Sequence, residues 1–158
     1  MLQINVKFIW NQGSDISLGL PDYRSSGASG ADIKANFDIG IRAEGIDLHP
    51  GRQLLIPTGL SVEIPKGFEI QIRPRSGLTL KDGISIPNSP GTIDSDYRGP
   101  LGVIMINFSE SIFHISHGDR IAQMVVAPVI RANFELVSEL SSTTRGIRGF
   151  GSTGKEKC

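Results

Sequence analysis

The chain has 158 residues, 39% of them apolar and 20% charged, and its 16 basic residues are balanced by 16 acidic ones. That length is one ordinary domain, and the composition excludes a disordered chain, a collagen and a coiled coil. Zero net charge argues against a nucleic-acid partner, because such domains carry a basic face. Along the chain, the N-terminus MLQINVKFIWNQGSD lacks the apolar stretch and cleavage site of a signal peptide. No apolar run reaches the ~18 residues of a membrane span. The one cysteine, Cys158, allows no disulfide within the chain. A soluble, cytoplasmic protein with no membrane partner is expected.

The strand signals come next. Leu54–Ile56 and Leu60–Ile64 flank a turn signal at Pro57-Thr58-Gly59. Phe68 to Arg73 alternates strictly, with Phe68, Ile70 and Ile72 on one face. The run 74–78 reads as a turn closing that strand, and 87–99 as a tight hairpin rich in Asn, Asp and Gly. Val103–Phe108 and Ile121–Ile130 are continuous apolar runs, expected as strands buried on both faces. The segment 129–145 admits at most a short helix. With 19 glycines, about 12% against a usual ~7%, many short strands and turns are expected, hence an all-β sandwich or barrel. From about Ser141 the chain is Ser/Thr/Gly-rich, and from Thr143 onward Arg145, Arg148, Lys155 and Lys157 face only Glu156. Such a tail cannot bury itself; it is free, or ordered by a ligand or a neighbouring chain.

Five short elements carry chemistry. Gly149 to Lys155 matches G-x-G-x-x-G and most of a P-loop, but no helix can follow it, so both folds are excluded. The underlying chemistry remains: exposed backbone N–H groups, hydroxyls and cations suit phosphate, and Phe150 suits stacking on a base. Taken alone, it reads more readily as a loose Gly-rich terminus. Arg75-Ser76-Gly77 sets a guanidinium, a hydroxyl and a glycine side by side, as phosphate contacts do. Asn88 and the backbone after it offer donors and acceptors for a base edge, and Asp94 or Asp96 offers a general base. Asp32 follows Gly30 and Ala31 and suits Mg²⁺, directly or through water. Gln123 is a polar residue entering an apolar strand and needs a partner. His49, His114 and His117 make no zinc pattern.

In this order the five elements resemble the homotrimeric dUTPases: SGADIKA at 29–35, PRSGL at 74–78, NSPGTIDSDYRG at 88–99, GDRIAQ at 118–123 and RGIRGFGSTG at 145–154. The resemblance implies an all-β, jelly-roll-like (β-clip) core over residues 1–140. Residues 141–158 would be a flexible arm closing over an active site of the trimer. It implies Mg²⁺-dependent hydrolysis of dUTP to dUMP and diphosphate, which keeps uracil out of DNA and supplies dUMP. Asp94 would be the general base, and Asp32 would hold Mg²⁺ through water. Arg75, Ser76, Gly77 and Gln123 would meet the phosphates. Asn88 with Gly91, Thr92 and Ile93 would read uracil, and Tyr97 would lie against the deoxyribose. Phe150 would stack on the base while Arg145, Gly151 and Ser152 seal the phosphates. Ile147 and Arg148 depart from the family's usual fifth motif. A dCTP deaminase of shared fold would need a glutamate that 74–84 lacks. A non-catalytic regulatory relative would be expected to have lost Asp94, Asp32 or the tail.

Overall fold

The computed structural model describes residues 3–149. Two four-stranded antiparallel sheets face each other across the core. The first, in the order β1-β4-β8-β6, is built from Lys7–Trp10, Gln53–Glu63, Pro100–Asn107 and Ile84–Ser85. The second, β2-β10-β5-β7, is built from Ala31–Lys34, Arg120–Pro128, Phe68–Arg73 and Gly91–Ile93. A ribbon of β3 (Ile46–Leu48) and β9 (Phe113–Ile115) covers one side. The architecture is all-β and jelly-roll-like. Both sheets feed one core: Ile56, Leu60, Val103 and Met105 from the first meet Ile33, Ile70, Ile72 and Met124 from the second.

Burial follows the pleat. In β5, Ile70 and Ile72 are buried while their neighbours face outward, and Phe68 packs on the core edge, as the alternation predicts. Three expectations are corrected. β8 alternates between buried and half-exposed residues, and in β10 only Ile121, Ala122 and Met124 are buried while Gln123 and Val125–Ala127 are half-exposed, so neither strand is buried on both faces; among the described residues no helix covers the outer sides of these sheets. Pro57-Thr58-Gly59 does not separate two strands. It is a bulge inside the single strand β4, where the register with β8 shifts between Pro57 and Ser61. Freed backbone groups find distant partners there: Asn36 N–H donates to Pro57 O (2.9 Å), and Asn11 N–H donates to Gly59 O (2.8 Å). Gly59 has φ 72°, and a Cβ there would stand 2.7 Å from Asn36 Nδ2 and from Ser14 Oγ. Thirdly, residues 76–82 form a helix, α1 (Ser76–Asp82), started after Pro74 ends β5 and stopped by left-handed Gly83. Seven residues with none buried leave no amphipathic period to read.

The N-terminal segment is tied to the sheet through Asp15. Ser17 donates both its N–H (2.9 Å) and its hydroxyl (2.6 Å) to Asp15 Oδ1. Phe37 N–H donates to His117 Nδ1 (3.1 Å), which leaves Nε2 to carry the proton toward Asp15 Oδ2 at 3.2 Å. The Ser17 hydrogen bonds, then His117 and Arg42, hold the Asp15 carboxyl at about 2, below its ordinary 3.8. A carboxyl lowered on folding stabilises the fold above its ordinary value, and that contribution is lost as pH falls toward 2. Urea midpoints of the wild type and Asp15→Asn should therefore differ at pH 5 and converge at pH 2. A gap that stays constant with pH would refute the linkage.

Candidate active site

Three neighbouring strands gather the acidic and amide groups of one cluster. Asp32 on β2 pairs with Gln123 on β10, and Gln123 pairs with Arg73 at the end of β5. The chain then turns at Pro74 and presents Arg75 at the head of α1. Asp32 is 5% exposed and sits at the centre. Its Oδ2 accepts from Arg120 Nη1 at 2.8 Å, and Oδ1 lies 3.7 Å from Arg75 Nε and 3.4 Å from Gln123 Nε2. Arg75 also donates through Nη1 to the carbonyl of Arg120 (2.6 Å). A buried carboxylate thus holds two guanidiniums, each with donors left over for an anion. Gln123, the polar residue that needed a partner, has Asp32. Gly30 makes room for it, since a Cβ there would stand 3.2 Å from Gln123 Cβ. Ser76 and Gly77 occupy the first turn of α1 beside Arg75.

A second cluster lies elsewhere on the subunit. A cleft of about 260 Å³ opens between the two sheets, lined by Ile72, Asn88, Gly91, Thr92, Ile93, Asp94, Tyr97 and residues of β8. The segment 87–99 is not a hairpin: β7 pairs with β5 in one sheet, and β8 pairs with β4 in the other. It crosses from sheet to sheet, and the cleft is the gap it leaves. Gly91 lets the Asn88 amide lie close, because a Cβ there would be 3.2 Å from Asn88 Nδ2. Asp94 follows β7 directly and is exposed at the rim, and Tyr97 N–H closes the turn on its carbonyl (3.2 Å).

The two clusters do not meet within one chain. Ile93, next to Asp94, pairs with Ile70, while Arg75 stands five positions further along. None of Asp32, Arg75, Arg120 and Gln123 lines the cleft.

Beyond Pro128 there is neither strand nor helix among residues 129–149, so the short helix allowed for 129–145 does not form. Phe134 and Leu136 are 95% and 100% exposed. Arg145 and Arg148 clasp each other across a turn: Arg145 Nε donates to Arg148 O (3.0 Å), and Arg148 Nε donates to Arg145 O (3.1 Å). Gly146, at φ 53°, bends between them. The departure at Arg148 therefore supplies bonds to the backbone of the turn. Phe150, Gly151 and Ser152 lie outside the described residues.

The family model for dUTPase matches residues 18–154. The chain belongs to the dUTPase family. It is 57% identical over 154 residues to a deoxyuridine 5'-triphosphate nucleotidohydrolase of Roseobacter denitrificans, covering 98% of this chain and 99% of that one. It is 49% identical to the protein of that name from Dinoroseobacter shibae, over 98% and 99% of the two chains. Among solved structures, it resembles a Staphylococcus bacteriophage 80alpha dUTPase with dUpNHpp at TM-score 0.78 and 25% identity, covering 96% and 99% of the chains. A dUTPase from phage phi11 of S. aureus, described with a structural Mg(II) ion, shares the fold at TM-score 0.70 and 23% identity, covering 88% of this chain and 100% of that one.

The donor set bears on whether the residues present fit a divalent ion. Among the described residues no three His, Cys, Asp or Glu side chains gather to hold a metal ion. Asp32 Oδ2 is taken by Arg120, whereas Oδ1 has only the long contacts to Gln123 and Arg75. Such a donor set would suit an ion held chiefly by phosphates, with Asp32 holding it through water, better than an ion ligated by the protein alone. Arg120 stands inside GDRIAQ, but nothing in its spacing from Gln123 signals that it folds back onto Asp32.

Proposed function

We propose that the protein hydrolyses dUTP to dUMP and diphosphate, with each active site assembled from more than one copy of the chain. The observation that carries this is the separation of a base-sized cleft with a carboxylate at its rim from a cationic cluster suited to phosphates. Facing another subunit, the two halves would complete each other. The homotrimer of the family provides that arrangement, and the bare Phe134 and Leu136 would be covered by a neighbour.

In this reading Asn88 and the backbone of Gly91, Thr92 and Ile93 pair with the uracil edge, and the narrow cleft excludes a 5-methyl group. Tyr97 lies against the deoxyribose. Arg75, Ser76, Gly77, Gln123 and Arg120 hold the phosphates. Asp94 accepts a proton from a water whose oxygen bonds to the α-phosphorus. The bond from that phosphorus to the bridging oxygen breaks, and diphosphate leaves. Asp32 would hold Mg²⁺ through water, and the ion would supply charge neutralisation on the phosphates. Residues 141–158 form the arm, in which Arg145, Phe150, Gly151 and Ser152 close the site and exclude bulk water. A cytoplasmic location accords with a substrate from the nucleotide pool.

The first test is diphosphate release from dUTP, dCTP, dTTP and UTP with Mg²⁺. Release from dUTP alone is expected. Ammonia release from dCTP would point to a deaminase, and binding without turnover to a regulatory protein. Sharing of the site has its own test. Asp94→Asn and Arg75→Ala proteins, each inactive, are unfolded together and refolded as a mixture. Activity should reappear, because some sites then receive an intact half from each variant. A mixture as inactive as its parents would refute the shared site.

A further inference from the structure

The turn that carries Tyr97 is braced far more heavily than a surface turn needs. The Tyr97 hydroxyl donates to the Pro100 carbonyl (2.9 Å), laying the ring back across the intervening residues. Arg98 Nη1 donates to both Ser95 O (2.8 Å) and Tyr97 O (2.7 Å), gripping the turn's backbone. The ring passes directly over Gly99. A Cβ there would stand 2.5 Å from Tyr97 Oη and 2.7 Å from Cζ, which no real contact tolerates. The backbone at Gly99 lies outside the left-handed region, so alanine would strain nothing there except the ring.

We infer that Gly99 is a specificity-determining position: its missing side chain sets how deep the Tyr97 ring lies in the cleft, and so the discrimination between 2'-deoxyribo- and ribonucleotides. This rests on the reading of the cleft as the nucleoside site. The ring is 42% exposed and hinged on two side-chain torsions. A methyl group at 99 would push the ring away from Gly99 and break its bond to Pro100. A ring fixed against the sugar leaves no room for a 2'-hydroxyl; a displaced ring leaves that room and loses contact with the deoxy sugar. Gly99 touches no substrate. It is a positioning residue acting through Tyr97, with Arg98 holding the backbone against which the ring is set.

The experiment measures kcat/KM for dUTP and UTP in the wild type, Gly99→Ala, Tyr97→Ala and the double variant, with thermal melts to confirm folding. Selectivity separates this role from a structural one, since a merely weakened fold lowers both substrates alike. In Gly99→Ala the dUTP-to-UTP ratio should fall about tenfold, within the ~100-fold that excluding one hydroxyl is worth. The double variant should be no less selective than Tyr97→Ala, because both changes remove the same wall. Tyr97→Phe adds no atom and loses only the latch to Pro100; its ratio should fall about threefold. A ratio unchanged in Gly99→Ala and Tyr97→Phe, but lowered in Tyr97→Ala, overturns the inference and leaves the cleft reading intact. A ratio unchanged in Tyr97→Ala overturns the sugar reading itself.

Discussion

Asp94→Asn should lower kcat on dUTP by about 10³-fold or more, at the upper end of what a positioned general base contributes, while dUTP affinity stays within a few-fold. The substitution keeps the shape of the side chain and its ability to accept a hydrogen bond from water. It removes the ability to take the proton. If positioning of the water were the whole of catalysis, the amide would retain most of the rate, because phosphoryl transfer depends heavily on alignment and charge neutralisation. Among the described residues Asp94 makes no side-chain hydrogen bond or ion pair. Its removal should therefore leave the thermal midpoint almost unmoved, as for other exposed sites. Single-turnover diphosphate release, read beside equilibrium binding of dUTP, decides between the two cases. A kcat within tenfold of the wild type would assign the proton to another group.

Asp32→Asn should reduce both stability and substrate binding. The carboxylate is 5% exposed and neutralises Arg120 and Arg75. An asparagine keeps the volume and leaves two guanidiniums facing each other without a counter-charge. Breaking a fully buried pair costs about 3–5 kcal/mol. Arg120 is 43% exposed along its side chain and Arg75 24%, so water relieves part of this; about 1–3 kcal/mol is the expected loss. The backbone should hold, because Asp22 and Asp32 are bridged by their own N–H and carbonyl groups. The released arginines would then splay, and KM for dUTP should rise about tenfold, a loss of ~1.4 kcal/mol of binding, with kcat affected less. Urea denaturation and steady-state kinetics at saturating Mg²⁺ read the two effects separately. An unchanged urea midpoint would mean that Asp32 does not anchor the arginines.

The comparison of sequence with structure turns on range. Alternation in 68–73 is a local property of the chain and survives folding as β5, because a two-residue period has only one way to bury Ile70 and Ile72. The residue types of Asp32, Arg75, Asn88, Asp94 and Gln123 and their motif order are likewise local properties that need no coordinates. Pro57-Thr58-Gly59 was misread as a turn because the groups that make it a bulge come from Asn11, Asn36 and Leu101. Helix α1 was missed because its support is the proline before it and the left-handed glycine after it, not an apolar face.

For the site, composition and motif order determined that this is an all-β protein with the groups for a nucleotide triphosphate. They specified a carboxylate, an amide, a phenol and cations, each in a short run of sequence. Only the tertiary structure decided how those groups are divided. The segment 88–99 leaves one sheet and enters the other, so Asn88, Asp94 and Tyr97 line the gap between sheets. Asp32, Arg75, Arg120 and Gln123 gather instead where β2, β10 and the end of β5 lie side by side. The physical reason is that strand pairing is non-local. Which residues share a sheet, and at which end, follows from hydrogen-bond register between segments dozens of residues apart, and no short stretch of sequence carries that register.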